Sequence, residues 1–297
     1  MATLDTVADR QAQWSRTADH LKSIIDKARW WVFLLSASGA ALAAVASQLG
    51  GGNTAATESL DNPRAWVAIT AAVCLALATF FTQRLLGADH VTAWVRARAI
   101  AERLKREAYK FAARAAPYDD LDPAKRDGAL DDERAKIEAD GDDLVRHLVK
   151  AAGPGSAPRQ TISDADYLQQ RVARQMTWYD QKADTYAVNV KRLRVIELIL
   201  AAAATLITAV AGVTGKSTLG LPFDAAALTA VFTTLAGAVL AHVEASRYDF
   251  LVMAYRATAR RLEDRRNRPQ QPWSDFVNDC ENILAAENTS WIAKWTK

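Results

Sequence analysis

Residues 65–83 read AWVAITAAVCLALATFFTQ, and this stretch between Arg64 and Arg84 contains no charged side chain. An α-helix needs about 20 residues to cross the hydrocarbon core of a bilayer, because each residue advances it by only about 1.5 Å. A helix on the surface of a soluble protein needs a polar face, and this stretch lacks a charged one. The sequence therefore predicts a membrane-spanning helix here.

Three further stretches are free of charge in the same way, apart from His242 in the last one. They lie between the charged residues Arg29 and Glu58, Glu197 and Lys216, and Asp224 and Glu244. The mean hydropathy of −0.10 conceals them, because the charged residues are concentrated elsewhere. We predict an all-α integral membrane protein with four transmembrane helices, roughly at residues 31–49, 65–86, 195–214 and 222–243.

The connections within each pair of spans are short, so each pair is expected to form a hairpin. These outer loops carry only Arg64 and Lys216 as basic residues. The opposite flanks carry many: Lys22, Lys27, Arg29, Arg84, Arg96, Arg98, Lys191, Arg192, Arg194, Arg247 and Arg256. The positive-inside rule then places both termini and the central segment in the cytoplasm, with the hairpins in the inner (plasma) membrane.

An internal repeat follows the second span of each hairpin. Residues 98–104 read RAIAERL and residues 256–262 read RATARRL, identical at five of seven positions. We therefore predict a tandem duplication, with one repeat at 1–152, a Gly/Pro-rich linker at 153–163 and a second repeat at 164–297. Two spans per repeat give both hairpins the same orientation, related by an axis along the membrane normal.

Long polar helices are predicted outside the membrane. We expect an unbroken helix from Arg84 to about Ala116 and a helix from Leu130 to Lys150. A third helix, capped by Ser163 or Asp164, is expected to run into span three. Span four is expected to continue to about Arg268, and a last helix to run from Ser274 to Trp295. These cytoplasmic extensions would form a helical bundle that buries their aromatic side chains.

No pattern in the sequence predicts catalysis. Cys74 and Cys280 should lie at different depths, so a disulfide is not expected. The glycine-rich stretch 212–217 lacks the first glycine of a phosphate-binding loop, and the acidic run 119–132 is out of register for a calcium loop. We expect neither enzyme activity nor a cofactor or metal. The net charge of +3 gives no reason to expect a nucleic-acid partner.

Three ionisable residues near the cytoplasmic ends of spans three and four are candidates for a pore or gate. Glu197 lies about one turn inside span three, where a charge is costly unless it is paired or hydrated. His242 and Glu244 should lie at a similar depth in span four. They form either a charged ring at the inner mouth of a pore or an interfacial group in which Glu197 pairs with Arg194 or Arg247.

Small and polar residues form stripes along the spans. Span four carries Thr229, Thr233 and Gly237 at four-residue spacing, and span two carries Thr79 and Gln83. Such residues either let membrane helices approach each other closely or line a water-filled path between subunits.

The chain resembles the SLATT family of bacterial two-transmembrane effectors, which are associated with nucleotide second-messenger systems. The resemblance lies in residues 178–183 (WYDQKA), ahead of span three, and residues 94–107 (WVRARAIAERLKRE), after span two. It implies a membrane effector proposed to form pores, and with that homo-oligomerisation. The family brings no established catalytic residues.

These observations predict a homo-oligomeric ion channel or pore-forming effector, whose partners are the lipid bilayer, ions and further copies of the chain. A basic cytoplasmic vestibule would favour anions slightly. The alternative is a non-conducting membrane scaffold that acts through its helical bundle. A secondary transporter fits less well, because none of the spans has an interior proline.

Overall fold

The computed structural model describes residues 2–49, 63–150, 155–214 and 225–295. All regular secondary structure assigned in these ranges is helical. The predicted all-α fold is therefore confirmed. The predicted outer loops, Pro222, Lys216 and the start of the predicted linker lie outside the described residues.

Nine α-helices are assigned in the described ranges. They are α1 (Ala2–Gln48), α2 (Pro63–Leu85), α3 (Ala88–Ala112), α4 (Pro123–Ala139), α5 (Asp164–Tyr167), α6 (Arg174–Thr214), α7 (Ala225–Ser246), α8 (Tyr248–Arg266) and α9 (Trp273–Trp295). A 3₁₀-helix covers Asp142–His147, and a π-helical stretch, Leu168–Ala173, joins α5 to α6.

Four helical stretches are long and apolar enough to cross a membrane, which confirms the four predicted spans. They are Thr3–Gln48, Pro63–Leu85, Asp164–Val213 and Leu228–Arg266. In the apolar window of each, no more than 17% of the residues are buried within the chain. Most of these side chains must therefore be covered by lipid or by another protein surface.

The chain divides into two compact units. The first, called here the extramembrane unit, comprises Met1–Ile25, Ala88–Thr185 and Phe250–Lys297. The second, the membrane unit, comprises Asp26–Gly87 and Tyr186–Asp249. Both predicted repeats contribute to each unit, so the repeat boundaries stay a prediction.

The core of the extramembrane unit includes equivalent positions of the two repeats. Leu104 and Leu262, which align in the repeat, both have 0% exposure, and Ala101 and Ala259 are buried as well. Trp14 of α1 is also buried, and its indole nitrogen donates a hydrogen bond to Glu138, at 3.1 Å. The shared RAxAxRL pattern thus corresponds to shared core positions on α3 and α8.

Three predicted helix extents are wrong. The helix expected from Arg84 to Ala116 is interrupted at Leu86–Gly87, where glycine disfavours the helix by about 1 kcal/mol relative to alanine. The continuation of span four is interrupted at Arg247, whose φ of 51° is left-handed. The helix expected at 130–150 instead begins at Pro123, where proline suits a first turn, and ends at Ala139.

Other local predictions are confirmed. The Ser163 hydroxyl caps α5 by accepting a hydrogen bond from the Asp166 backbone N–H, at 3.1 Å. The helix then continues to Thr214, through a π-helical stretch that the sequence did not reveal. Both cysteines are free thiols, as expected.

Within the membrane unit, α1 and α2 approach each other closely at Gly39. A Cβ atom added to Gly39 would lie 2.8 Å from Cγ of Leu75 and 3.2 Å from the carbonyl oxygen of Ala71. Ala71 and Ala78 are buried on the same helix α2. Small residues at such a contact let two membrane helices pack backbone to backbone.

We predict that Gly39→Leu destabilises this packing, because overpacking costs about 1–3 kcal/mol. Thermal unfolding of the purified chain in detergent, followed by circular dichroism, should show a lower Tm. Gly212→Leu is the matched control, since a Cβ there meets nothing within 4 Å. Equal Tm values for the two variants would contradict the close contact.

Candidate functional site

Glu197 lies half-buried on α6 of the membrane unit. Among the described residues its carboxylate has no hydrogen bond and no ion pair. Arg194, one of its two expected partners, instead donates to Asp249, at 2.6 Å between Nη2 and Oδ2. The interpretation of Glu197 as a carboxylate paired with Arg194 is therefore not what the structure shows.

His242 and Glu244 lie on α7 in different surroundings. His242 is half-buried, and its ring packs against Phe33 of α1 with 5.4 Å between centroids. Glu244 is exposed. Among the described residues, no hydrogen bond or ion pair joins Glu197 to either of them. A joint role of the three as a gate stays a prediction.

The small-residue stripe of α7 has an inner part, which packs within the membrane unit, and an outer part, which is exposed. The Thr229 hydroxyl lies 3.1 Å from that of Thr208 on α6, so this end of the stripe packs within the unit. Thr233 and Gly237 are exposed, and a Cβ added to Gly237 would meet nothing within 4 Å. The outer part is thus an exposed face of small residues on the surface of the unit.

Thr79 and Gln83 are also exposed, on α2. The Thr79 hydroxyl donates to the backbone oxygen of Leu75, at 3.0 Å, and the Thr233 hydroxyl donates likewise to Thr229, at 2.8 Å. Hydroxyls bonded to their own helix can face lipid without leaving a donor unsatisfied. These threonines therefore do not by themselves require water beside them.

A buried ion pair lies in the core of the extramembrane unit. Arg171 donates two hydrogen bonds to Glu281, at 2.9 Å from Nε and 2.7 Å from Nη2. The two side chains are only 3% and 0% exposed. Tyr167 also donates to Glu281, at 3.0 Å, and the Arg171 guanidinium lies over the ring of Tyr109. Each group therefore has partners that compensate its loss of water.

The π-helical stretch Leu168–Ala173 carries Arg171. A π-helical turn inserts one extra residue into an α-helix and changes which side chains face a neighbouring element. Arg171 faces Glu281 of α9 from within this turn. Such turns occur frequently at functional sites, which directs attention to the space around Arg171.

A cavity of about 450 Å³ lies next to this ion pair. It is bordered by α1, α3, α9 and the helix that contains Arg171. Six of its lining residues are basic, three are acidic and three are aromatic: Lys22, Arg98, Lys105, Arg171, Arg174, Lys182; Asp19, Glu102, Glu287; Trp94, Trp178, Tyr179. Its volume falls within the range of small-molecule sites.

The pKa values of two cavity carboxyls are shifted in opposite directions. Burial raises the pKa of Glu287, and neither Arg98 nor the hydrogen bond from Tyr179 fully offsets it. Burial by itself would raise the pKa of Glu102 as well. The positive charges of Lys105 and Arg98 outweigh this effect, so the pKa of Glu102 is lowered. Burial lowers the pKa of Lys105. Carboxyls whose pKa values are driven apart are typical of functional sites.

Two buried acceptor atoms in the cavity wall have no hydrogen-bond partner among the described residues. They are Oε1 of Glu287 and Oδ1 of Asn288, on residues that are 7% and 9% exposed. The other oxygen of Glu287 accepts from Tyr179, at 3.2 Å. A water molecule or a ligand in the cavity could donate a hydrogen bond to such an atom.

This cavity was not predicted from the sequence. The predicted site residues all lie in or directly beside the spans, where an ionisable or polar side chain among apolar residues is conspicuous. The cavity residues come from four separated segments and look like ordinary charged helix positions. The one available signal was aromatic and basic residues together in residues 94–107 and 178–183, which contribute to the same cavity.

The fold is that of a helical membrane protein, and comparisons with known proteins indicate a membrane effector. Residues 167–291 match the family model SLATT_1, described as SMODS and SLOG-associating 2TM effector domain 1. Residues 12–126 match a second model, DUF4231, described as a protein of unknown function. No curated protein and no solved structure matches the chain. The match over residues 167–291 confirms the resemblance to the SLATT family that was predicted from the sequence.

The buried ion pair gives a quantitative prediction. Glu281→Gln should destabilise the extramembrane unit by about 3–5 kcal/mol, because it leaves the buried Arg171 charge uncompensated. The double variant Arg171→Met/Glu281→Leu should cost less than Glu281→Gln alone, since it removes both charges. Thermal unfolding in detergent, followed by circular dichroism, measures both.

Asp279→Asn is the matched control for Glu281→Gln. Asp279 lies on the same helix and pairs with Arg265 at 2.8 Å, but its side chain is 56% exposed. An exposed pair contributes about 0–1 kcal/mol. If Glu281→Gln and Asp279→Asn had the same effect on Tm, the buried pair would not have the role given to it.

Glu287 gives a prediction of pH dependence. Its pKa is raised in the folded chain, so the folded state binds a proton more tightly than the unfolded state does. Stability should therefore fall as pH rises from the pKa of a solvated glutamate, about 4.3, through the higher folded pKa. Glu287→Gln should remove this fall, so its Tm relative to the parent should increase as the pH rises above about 4.3. A pH-independent difference would contradict the raised pKa.

Proposed function

We propose that the protein is a membrane effector that assembles into a homo-oligomeric ion-conducting pore. The observation that carries the proposal is the outer part of the α7 stripe. Thr233 and Gly237 are exposed, and the space above Gly237 is open. In a bilayer, an open face of small residues favours close association with another helix, because dispersion contacts between backbones replace contacts with lipid.

The number of spans supports assembly. Four helices in one chain pack too tightly to enclose a water-filled path, so conduction needs several subunits around an axis. The low burial of the apolar windows leaves ample surface for contacts between copies. Glu197, whose carboxylate lacks a partner among the described residues, would be hydrated or paired within such an assembly.

The proposed ionic preference is for anions, with both termini on the cytoplasmic side of the inner membrane. Basic residues flank the spans on this side, among them Lys191, Arg192 and Arg194. A surface of one charge sign raises the local concentration of counter-ions near the mouth of a pore. We propose no enzyme activity for the chain.

We predict that purified protein in planar bilayers conducts ions and that Gly237→Leu reduces the conductance. A clash of about 1.4 kcal/mol at each interface would weaken association about tenfold. Mass measurement in detergent should show the same loss of oligomer. Gly212→Leu is the control, because Gly212 is also exposed with open space but lies on α6.

Three results would contradict the proposal. They are the absence of conductance across a broad range of ions, voltages and pH, a monomer at all protein concentrations, or equal effects of the two glycine variants. The anion preference is tested separately by the reversal potential in a potassium chloride gradient.

A non-conducting effector that acts through the extramembrane unit is the second candidate. The observation that favours it is that the exposed threonines of the spans bond to their own helices and do not need water. Recovery of one stoichiometric partner protein together with silent bilayers would select this alternative.

A further inference from the structure

The lining of the cavity in the extramembrane unit contains more basic than acidic side chains. This lining has six basic and three acidic side chains, so its excess of three positive charges equals the net charge of the whole chain, +3. Arg171 is neutralised by Glu281, which is outside the lining, so five basic and three acidic side chains of the lining remain. The remaining imbalance attracts an anion.

Two basic side chains of the lining are available to bind an anion. Arg174 and Lys182 are exposed on the cavity border, and neither has a hydrogen bond or an ion pair with the described residues. They lie two helical turns apart on α6, so they can contact a group of extended charge. Guanidinium and ammonium groups are the usual ligands of phosphate oxygens.

The aromatic side chains of the cavity are the second feature that indicates the kind of ligand. Trp178 is 37% exposed, and one edge of its indole contacts Tyr179 at 5.1 Å between ring centroids. Both residues line the cavity together with Trp94. An indole that is partly exposed at a charged cavity offers a surface on which a planar ring can stack. A phosphate ion alone would leave this surface unused.

The third feature is the pair of buried oxygen atoms that have no hydrogen-bond partner among the described residues. Oδ1 of Asn288 is an acceptor and needs an N–H or O–H donor. Oε1 of Glu287 accepts when the carboxyl is ionised and donates when it is protonated. Leaving such atoms unpaired is costly, so a ligand that supplies a donor to Asn288 gains affinity.

From these three features we propose that the cavity binds a nucleoside phosphate whose base carries an exocyclic amino group. The phosphates would contact Arg174 and Lys182, the base would stack on Trp178, and its amino group would donate to Oδ1 of Asn288. This inference does not depend on ion conduction, because all of these residues belong to the extramembrane unit.

The test is calorimetric titration of the full-length chain in detergent with ATP as the probe. Purine riboside triphosphate, which lacks the amino group, and pyrophosphate, which lacks the ring, are the comparison ligands. We expect saturable binding of ATP, about tenfold weaker binding of purine riboside triphosphate because Asn288 stays unpaired, and still weaker binding of pyrophosphate.

Variants then locate the site. Arg174→Gln/Lys182→Gln should weaken ATP binding at least about tenfold, since charge-assisted contacts to phosphate are lost. Lys150→Gln/Arg260→Gln is the matched control, with one lysine and one arginine that are exposed in the same unit but lie outside the cavity. Asn288→Leu should remove the preference for ATP over purine riboside triphosphate without lowering the Tm of the unliganded chain.

Several outcomes would overturn the proposal. No saturable binding of ATP up to about 1 mM would exclude a specific site. Equal affinity for ATP and pyrophosphate would show that the ring is not recognised. Unchanged binding in Arg174→Gln/Lys182→Gln would place the site elsewhere. The last result is informative even if Asn288→Leu fails to fold, because Arg174 and Lys182 are exposed.

Discussion

The extramembrane unit depends on one interaction, the buried ion pair between Arg171 and Glu281. A charge inside a protein costs several kcal/mol unless a partner and further hydrogen bonds replace its water. Here two direct hydrogen bonds, the Tyr167 hydroxyl and the Tyr109 ring provide that replacement. Because neither charge tolerates a displaced partner, the pair fixes the register of the π-helical stretch against α9. The cavity borders the same arginine, so its shape depends on that register.

The membrane unit meets the opposite requirement. Lipid provides no partners for polar groups, so the spans omit charge and satisfy hydroxyls within their own helices. The Thr79 and Thr233 hydroxyls bond to backbone oxygens four residues earlier. The contact of α1 with α2 is made by Gly39 against Leu75 and Ala71, where the absence of a side chain permits the approach. One chain therefore stabilises its two units by different physical means.

This difference explains which features the sequence could predict. A span depends on about 20 consecutive residues, so its signal is local, and all four were predicted. The helix break at Gly87 was not predicted, because a single glycine costs only about 1 kcal/mol and tertiary structure decides whether it interrupts a helix. The cavity was not predictable, because Lys22, Lys182 and Asn288 are brought together only by folding. The π-helical stretch at Arg171 likewise has no local signature.

The predicted repeat shows how a binding site can include one of two similar helices, α3, without the other, α8. Leu104 and Leu262 occupy equivalent buried positions, yet their charged neighbours have diverged. Arg98 stacks over Trp291 at 4.4 Å beside the cavity, whereas its counterpart Arg256 pairs with Asp184 in an exposed position. Core positions are restricted by packing volume, which accounts for their similarity in the two predicted repeats. The surrounding charges are not restricted in this way, and of the two helices only α3 contributes charges to the lining of the cavity. A binding site that includes α3 alone of the two is therefore compatible with the predicted duplication.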